Sequence, residues 1–383
     1  MAAALGVLVS CGSVKSGEEV VAASRDSKVV VAYVTSWSEV MPDPQYMTHI
    51  NYAFGHVNES FNGVKIDNEE RLRQIVDLRK QKPELKVLLS IGGWGSGRFS
   101  EMAANDEYRR AFVADCARVV KEFALDGIDI DWEYPTSSMA NISSSPDDTE
   151  NFTLLMQDIR AAIGNEKELT LATVASARYI DFKAILPSVD FVNIMAYDMA
   201  SAPKHHSALY PSGHSGDITS DGAVTAHLKA GVPPSKLVMG MPFYGRGGDG
   251  YPSFQDYNKV GNTDTQYTEK WDEVAQVPYL ADKNDTLVFG FENPRSLAIK
   301  CQYILDKDLL GGMYWDYSGD NEQGDLRRTV AENLLGKPHK AKVLVLTERG
   351  GQHGGFTDAG LRWLAAEGAK GNFSITEINN ARN

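Results

Sequence analysis

Short apolar runs alternate along the chain with longer segments in which apolar residues recur every three or four positions. The short runs have the length and composition of β-strands, and the longer segments have the periodicity of amphipathic helices. Strands are predicted at Val29–Val34, Ile50–Phe54, Val87–Ile91, Gly127–Trp132, Leu169–Val174, Phe191–Ala196, Leu237–Met241 and Gly312–Trp315. Helices are predicted at Asn68–Lys80, Asp106–Phe123, Asp147–Ile163, Ser220–Lys229, Pro294–Leu305 and Glu322–Leu335.

This alternation favours a parallel sheet, because parallel strands need a crossover connection, which is usually a helix. Eight strands are the number that closes a (β/α)8 barrel. An open doubly wound sheet is the alternative, and it often carries a glycine-rich phosphate-binding turn after its first strand. Here the first strand ends in Tyr33–Trp37, which contains no glycine. We therefore predict an α/β fold of the (β/α)8 TIM-barrel class over residues 28–336.

The composition is that of a globular protein, with 383 residues of which 43% are hydrophobic and 23% charged. The formal net charge is −13, and an acidic surface repels phosphate backbones, so we expect no nucleic-acid partner. No apolar run has the length of a bilayer span. The three cysteines form no CxxC pair, which argues against a cysteine-based zinc site. We expect a monomer without metal or cofactor.

The N-terminal segment has the character of an export signal. Met1–Ser10 is small and apolar, and Leu8–Cys11 resembles the lipid-attachment motif of bacterial lipoprotein signals. A generic secretory segment with an incidental cysteine is the alternative. Because no basic residues precede the apolar run, we expect the natural start to lie upstream. We predict an exported cell-envelope lipoprotein, with residues 1–27 as signal and tether and Cys11 as the only membrane anchor.

Polar and aromatic side chains collect where the predicted strands end, which is where (β/α)8 barrels carry their sites. These candidate site residues are Tyr33, Phe54, Gly93, Trp94, Met195, Tyr197, Asp198, Tyr244, Arg246 and Trp315. One such aromatic residue is most simply explained by core packing. Their joint position at strand ends instead predicts a cleft that stacks on sugar rings.

The fourth predicted strand carries three acidic residues at alternate positions. Asp129, Asp131 and Glu133 share one face, because strand side chains alternate with a period of two. Ile128, Ile130 and Trp132 share the other face and require burial, which disfavours a solvated acidic edge strand. A calcium or magnesium site is a second alternative, but the calcium-loop signature is absent. Crowded carboxylates cannot all ionise, so we predict that one stays protonated and serves as a general acid.

These residues resemble those of a known family. Asp126–Glu133 reads DGIDIDWE and is similar to the DxxDxDxE signature of glycoside hydrolase family 18, the chitinases and related endo-β-N-acetylglucosaminidases. Further family-like motifs follow in the same order, at Ser90–Trp94, Met195–Asp198, Met241–Arg246 and Gly311–Trp315. The resemblance covers roughly Lys28 to Gly336 and implies a substrate-assisted, retaining mechanism.

The resemblance also implies a role for each matching residue. Glu133 would be the acid/base, Asp131 would orient the 2-acetamido group of the substrate, and Asp129 would support Asp131. Tyr197 would hydrogen-bond the acetamido group. Tyr33, Phe54, Met195, Asp198 and Trp315 would line the reacting subsite. Gly93, Trp94, Tyr244 and Arg246 would lie next to the bound chain or its neighbouring sugars. The implied substrate is a polysaccharide or glycan that contains N-acetylglucosamine.

Two other functions stay open at this point. An endo-β-N-acetylglucosaminidase would cleave the core of N-linked glycans on the same site. A chitinase-like lectin would bind sugar without cutting it, but Glu133, the residue that such lectins lack, is present. Many family members insert a small α+β domain after the seventh strand, and Gly247–Phe291 is short for such a domain. We therefore expect a shallower cleft.

Three segments give weaker signals. His205, His206 and His214 lie in a polar stretch where a zinc site is less well supported than a surface or substrate-side loop. The glycines at Gly93–Gly97 suit a tight turn better than a phosphate loop. Residues 341–383 resemble the opening of a trehalose-utilisation (ThuA-like) domain, and we predict a partial flavodoxin-like βαβ unit from a truncated chain. A C-terminal extension docked on the barrel is the alternative.

Overall fold

The structure is a computed structural model that describes residues 28–248, 251–260 and 267–336 and two strands at 341–345 and 373–377. The chain divides into two compact units, Met1–Gly336 and Lys337–Asn383. The predicted signal and tether at residues 1–27 lie outside the described residues.

The first unit is built on a closed barrel of eight parallel strands. The strands of this unit are, in chain order, β1 (Val29–Thr35), β2 (His49–Val57), β3 (Val64–Ile66), β4 (Lys86–Gly92), β5 (Gly127–Asp131), β6 (Glu168–Val174), β7 (Phe191–Met195), β8 (Leu237–Pro242), β9 (Tyr244–Gly247), β10 (Gln255–Asp256), β11 (Thr268–Asp272), β12 (Val277–Ala281), β13 (Leu287–Gly290) and β14 (Gly311–Trp315). The barrel order is β1-β14-β8-β7-β6-β5-β4-β2, and β2 pairs with β1 to close it. The predicted (β/α)8 barrel is confirmed.

Helices cover the outside of the barrel. They are α1 (Glu69–Val76), α2 (Phe99–Ala104), α3 (Asp106–Glu122), α4 (Asp148–Ile163), α5 (Phe182–Ile185), α6 (Ser220–Lys229), α7 (Pro294–Asp306) and α8 (Asp325–Leu334). Helix α7 begins where the sequence predicts, because Asn293 and Ser296 form a reciprocal capping box with proline at the first helical position. Helix α8 begins three residues later than predicted, after Gly324 adopts a left-handed conformation with a φ of 73°. None of the described helices is both long and apolar enough to cross a bilayer.

The core has two layers that follow from strand alternation. The larger layer lies between the strands and the helices and includes Ile128, Ile130 and Leu155. The smaller layer fills the barrel interior with Val31, Tyr33, Phe191, Val238 and Met313. Polar side chains above this inner layer therefore lie at the open, C-terminal end of the strands.

An inserted sheet lies between β8 and α7, in the segment for which the sequence predicts only a short insertion. It has five antiparallel strands in the order β10-β9-β13-β12-β11. Strand β9 follows β8 after a single residue, Phe243, so the sheet grows directly from the end of a barrel strand. The insertion is thus a folded wall beside the barrel mouth, although its strands are only two to five residues long.

In the second unit, β15 (Ala341–Val345) pairs in parallel with β16 (Phe373–Glu377). The sequence predicts strands at Val343–Leu346 and Phe373–Ile378, and the two observed strands fall close to these positions. The helix predicted at residues 358–367 lies outside the described residues. The partial flavodoxin-like, ThuA-like unit therefore stays a prediction.

Candidate active site

Strand β5 turns its acidic residues inward and its apolar residues outward. The Trp132 ring stacks 5.3 Å from Phe99 of α2 and lies 5.9 Å from Phe152 of α4, measured between ring centroids. This packing fixes the strand against the helices. Because side chains alternate along a strand, Asp129 and Asp131 lie on the opposite, interior side. Glu133 lies two residues after the end of the strand.

Asp129 is fully buried and is held by four hydrogen bonds. The hydroxyls of Tyr33 and Ser90 donate to its Oδ2, each at 2.8 Å. Thr170 and Asn193 donate to its Oδ1 at 2.6 and 3.3 Å. Burial raises the pKa of Asp129, and these donors oppose that rise because they favour the ionised form. Asp129 is thus a fixed carboxylate at the base of the site.

Asp131 and Glu133 lie above Asp129 and influence each other. Oδ1 of Asp131 is buried and has no hydrogen-bond partner among the described residues. Burial, and then the charges of Glu133 and Asp129, raise the pKa of Asp131 well above its ordinary value. Burial also raises the pKa of Glu133 to about 7, a rise that the Tyr134 side chain opposes and the charge of Asp198 supports. A proton is therefore held at this pair near neutral pH.

The residues that follow β7 complete the polar surroundings of Glu133. Tyr197 is half-buried, and burial together with Asp131 and Glu133 raises the pKa of its hydroxyl, which stays a neutral donor. Asp198 accepts two hydrogen bonds from Arg246, at 2.6 and 2.7 Å. Although burial raises the pKa of Asp198, the hydrogen bonds from Arg246 and His206 bring it well below the usual value. Asp198 is thus a permanent negative charge near the acid.

These side chains open into one cavity of about 620 Å³, called here the active-site cavity. The candidate residues that line it are Tyr33, Phe54, Trp94, Asp131, Glu133, Met195, Tyr197, Asp198, Tyr244, Arg246 and Trp315. Two candidates do not line it. Asp129 lies beneath Asp131, and Gly93 lies beside Phe54, where an added Cβ would come within 2.7 Å of the ring.

Aromatic rings form one wall of the active-site cavity. Phe54 and Trp315 stack at 5.5 Å with 21° between their planes, and Tyr33 lies 5.7 Å from Trp315. Trp37 extends this wall toward solvent at 6.4 Å from Trp315. Trp94 is 63% exposed and also lines the cavity. Flat apolar rings next to carboxylates suit a sugar, which has apolar ring faces and polar edges.

Several residues of the site are not among the sequence-based candidates. Thr170 and Asn193 donate to Asp129, and they could have been found as polar residues on the inward face of otherwise apolar strands. The cavity is also lined by Tyr134, Met139, Arg178, Tyr179 and Phe254. Most of these lie in connections after strands, where the chain has no periodic pattern to follow. Phe254 comes from the insertion and stacks 4.6 Å from Tyr244.

The histidines of the connection after β7 have local partners. The Nε2 atom of His205 lies 3.2 Å from Asp272 of the inserted sheet, and Nδ1 of His206 lies 3.5 Å from Asp198. Burial lowers the pKa of His205 to about 4, so its ring is neutral at neutral pH. Within the described ranges, no cluster of three or more acidic, histidine or cysteine side chains is placed to hold a metal ion.

A barrel mouth that holds a carboxylic acid with a pKa near 7, a buried carboxylate beside it and a wall of aromatic rings defines a glycoside-cleaving class of site. Residues 29–320 match the sequence profile of glycosyl hydrolases family 18. The chain belongs to this family.

Relatives agree with this assignment. The chain is 31% identical over 350 residues to chitotriosidase-1 of Mus musculus, covering 77% of this chain and 74% of that protein. It is 29% identical over 409 residues to chitinase A1 of Niallia circulans, covering 79% of this chain but only 58% of that longer protein.

Solved structures show the same architecture. A family 18 N-acetylglucosaminidase from Paenibacillus barengoltzii superposes with a TM-score of 0.74 at 32% identity, covering 80% of this chain and 99% of that one. A chitinase from Bacillus thuringiensis superposes with a TM-score of 0.75 at 26% identity, covering 82% of this chain and 71% of that one.

Proposed function

We propose that this protein hydrolyses β-1,4 linkages between N-acetylglucosamine units, in chitin or chito-oligosaccharides, with retention of anomeric configuration. The observation that carries the proposal is the position of Glu133 at the rim of the active-site cavity, where burial raises its pKa to about 7. Such an acid is protonated in a useful fraction of molecules at neutral pH and can also act as a base. The sugar specificity rests on Asp131, whose buried Oδ1 has no partner among the described residues and suits a substrate N–H.

In the first step, Glu133 donates its proton to the glycosidic oxygen as the bond to C1 breaks. The carbonyl oxygen of the 2-acetamido group attacks C1 from the opposite face and forms a cyclic oxazolinium ion. Asp131 accepts a hydrogen bond from the acetamido N–H and stabilises the positive charge that develops there. The leaving sugar departs with the proton of Glu133 as its new hydroxyl.

In the second step, the ionised Glu133 removes a proton from a water molecule, and the water oxygen attacks C1. The C1–O bond to the acetamido oxygen breaks, the ring opens and the neutral N-acetyl group is restored. Two inversions at C1 give net retention, and Glu133 is protonated again.

The other cavity residues position the reacting sugar. Tyr197 keeps its proton, because its pKa is raised, and donates to the acetamido oxygen. Tyr33, Phe54 and Trp315 pack against the apolar face of the ring. Trp94 and Arg246 contact the neighbouring sugars, which hold the chain across Glu133. Met195, Asp198 and Tyr244 complete the walls.

The Glu133→Gln variant tests the proposal. We expect its kcat/KM on chitin oligomers to fall by at least about 10²-fold, because the general acid is lost while the side-chain shape is kept. Glu107→Gln is the matched control, since Glu107 is exposed on α3 outside the cavity. Mass spectrometry of products from chitin oligomers, beside a high-mannose glycopeptide, identifies the bond that is cut. Normal hydrolysis by Glu133→Gln, or cleavage of the glycopeptide alone, would contradict the proposal.

We also propose that the protein is exported and anchored by a lipid on Cys11. Support comes from the apolar Met1–Ser10 segment and from the Leu8–Cys11 motif at its end. In a bacterial host fed labelled palmitate, the full chain is expected to take up label. Cys11→Ser is expected to abolish uptake and Ser13→Ala to keep it. Equal labelling of both variants would contradict the anchor.

A further inference from the structure

A tight turn after β4 presents Trp94 to the active-site cavity. The N–H of Ser96 donates to the carbonyl of Gly93 at 3.0 Å, which closes a four-residue turn. Trp94 is the second residue of this turn, and Gly95, with a φ of 81°, is the third. The Trp94 side chain is 63% exposed, so packing against the protein fixes little of it. The direction of this ring therefore depends on how the turn itself is held.

The two ends of the turn are attached to different barrel strands. At its start, the N–H of Gly93 donates at 2.9 Å to the carbonyl of Asp131, the last residue of β5. At its end, the Ser96 hydroxyl lies 2.8 Å from Nδ1 of His56, a residue of β2. Among the described residues, Ser96 is the only member of the turn whose side chain forms a hydrogen bond. The contact with His56 is thus the one side-chain tether of the turn.

The ring of His56 is itself held by a carboxylate, since its Nε2 lies 3.0 Å from Oδ2 of Asp67. The backbone of Asp67 is also fixed. Its N–H donates to the carbonyl of Phe54 at 3.0 Å, and its carbonyl accepts from the Tyr52 hydroxyl at 2.9 Å. Because a carboxylate only accepts, Nε2 of the neutral ring carries the proton, and Nδ1 accepts from the Ser96 hydroxyl. One tautomer of His56 therefore satisfies both partners.

We propose that His56 and Ser96 are positioning residues that hold Trp94 in the orientation in which it contacts a neighbouring sugar, with Asp67 fixing the His56 ring. His56 and Ser96 are not among the described residues that line the active-site cavity, so they act on the substrate through Trp94. This inference rests on the proposed function. It adds that affinity for the sugar chain depends on a hydrogen bond outside the cavity.

The Ser96→Ala variant tests the tether, because it removes one hydroxyl and little volume. We expect its KM for chitohexaose to rise about fivefold while kcat stays within about twofold of wild type. This split follows because Trp94 contributes to binding and takes no part in the proton transfers. Ser96→Thr keeps the hydroxyl and is expected to return KM to within about twofold of wild type.

The choice of variant and control follows from the surroundings of the tether. Ser96 is replaced rather than His56, because the His56 ring lies 6.2 Å from the Phe54 ring and its loss would also disturb that wall of the cavity. The matched control is Ser60→Ala, since Ser60 is exposed in the connection after β2 and lies outside the cavity. We expect this control to keep the wild-type KM.

A double-mutant cycle with Trp94→Ala separates positioning from a general structural effect. Trp94→Ala alone is expected to raise KM about tenfold, because the stacking surface is lost. If Ser96 acts through Trp94, adding Ser96→Ala to Trp94→Ala should change KM by less than about 1.5-fold. A general loosening of the barrel by Ser96→Ala would instead multiply with the loss from Trp94→Ala.

Binding gives a second readout that does not depend on turnover. In the Glu133→Gln background, calorimetry with chitohexaose should show weaker binding for Ser96→Ala, again by about fivefold, and recovery for Ser96→Thr. A wild-type KM in Ser96→Ala or in Trp94→Ala, or fully multiplicative losses in the double variant, would overturn the positioning role. Failure of the proposed function would look different, because the wild-type protein would then not cleave chitohexaose.

Discussion

Arg246 binds Asp198 through two parallel hydrogen bonds, from Nε to Oδ1 at 2.6 Å and from Nη2 to Oδ2 at 2.7 Å. A bidentate pair of this kind is stronger and more specific in geometry than a single contact. It keeps Asp198 ionised, and that negative charge raises the pKa of Glu133. The proton affinity of the acid therefore depends on a residue in a different strand connection.

This relationship predicts a shift in the pH profile of Asp198→Asn. Loss of the negative charge lowers the pKa of Glu133, and activity falls where Glu133 loses its proton. The basic limb of kcat/KM against pH should therefore move to lower pH, along with a drop in the maximum of about tenfold. Asp147→Asn removes an exposed carboxylate at the start of α4 and should leave the limb in place. A limb that moves to higher pH would show that the coupling has the opposite sign.

The hydrogen bonds to Asp129 predict unequal effects for two threonines of β6. Thr170→Val removes a 2.6 Å donor from a buried carboxylate and should lower the free energy of unfolding by about 2 kcal/mol. The hydroxyl of Thr173 is also buried but has no partner among the described residues, so Thr173→Val should be neutral or stabilising. Urea unfolding of both variants measures the difference. Equal losses would mean that the hydrogen bond to Asp129 contributes nothing specific.

Gly93 predicts a local sensitivity in the wall of the active-site cavity. Its φ is 92°, and an alanine Cβ would lie 2.7 Å from the Phe54 ring. Gly93→Ala should therefore displace Phe54, raise KM and lower kcat/KM by about tenfold or more. Gly97→Ala is the matched control, because its added Cβ would meet Ile142 at an ordinary 3.6 Å. Steady-state kinetics on chitin oligomers distinguishes the two, and equal rates would contradict the prediction.

A fully buried ion pair outside the active-site cavity predicts a large stability effect. Lys300 binds Glu292, and the Ser207 hydroxyl also donates to Glu292 at 2.6 Å. Lys300→Met leaves a buried carboxylate without its cation and should destabilise the fold by about 4 kcal/mol. Adding Glu292→Leu should recover most of the loss, since two apolar residues then replace the pair.

The control for this pair is Lys80→Met, which breaks an exposed contact with Asp77. It should cost no more than about 0.5 kcal/mol, because exposed pairs are screened by water. Thermal unfolding measures both losses of stability. Equal losses for Lys300→Met and Lys80→Met would show that burial does not make the Lys300–Glu292 pair more important for stability.

The barrel could be predicted from the sequence because its strands are short and apolar and most of them are followed by a helical repeat. The inward direction of Asp129, Asp131 and Glu133 followed from the two-residue repeat of one strand. The partners of Asp129 could not be derived in this way. They depend on the register that sets Ser90 and Thr170 beside Asp129, and register is a property of neighbouring strands rather than of one.

The inserted sheet and the loop residues were missed for a different reason. Strand β10 has two residues and helix α5 has four, which is less than one full period of either pattern. Met139 and Arg178 lie in connections whose conformation depends on tertiary contacts. These segments could not be predicted because none of them contains a repeat long enough to detect. The connections that carry Met139 and Arg178 also shape the wall of the active-site cavity.

The packing of Trp132 between Phe99 and Phe152, next to Glu133, limits how this strand can change in evolution. Losing or gaining one residue within β5 would turn Trp132 into the barrel and send the acids into the hydrocarbon layer under the helices. This stretch can therefore diverge only by replacement at fixed length, whereas the connections after the strands can lengthen and shorten. Libraries that aim for new sugar preferences should vary loop length and keep the length of this strand constant.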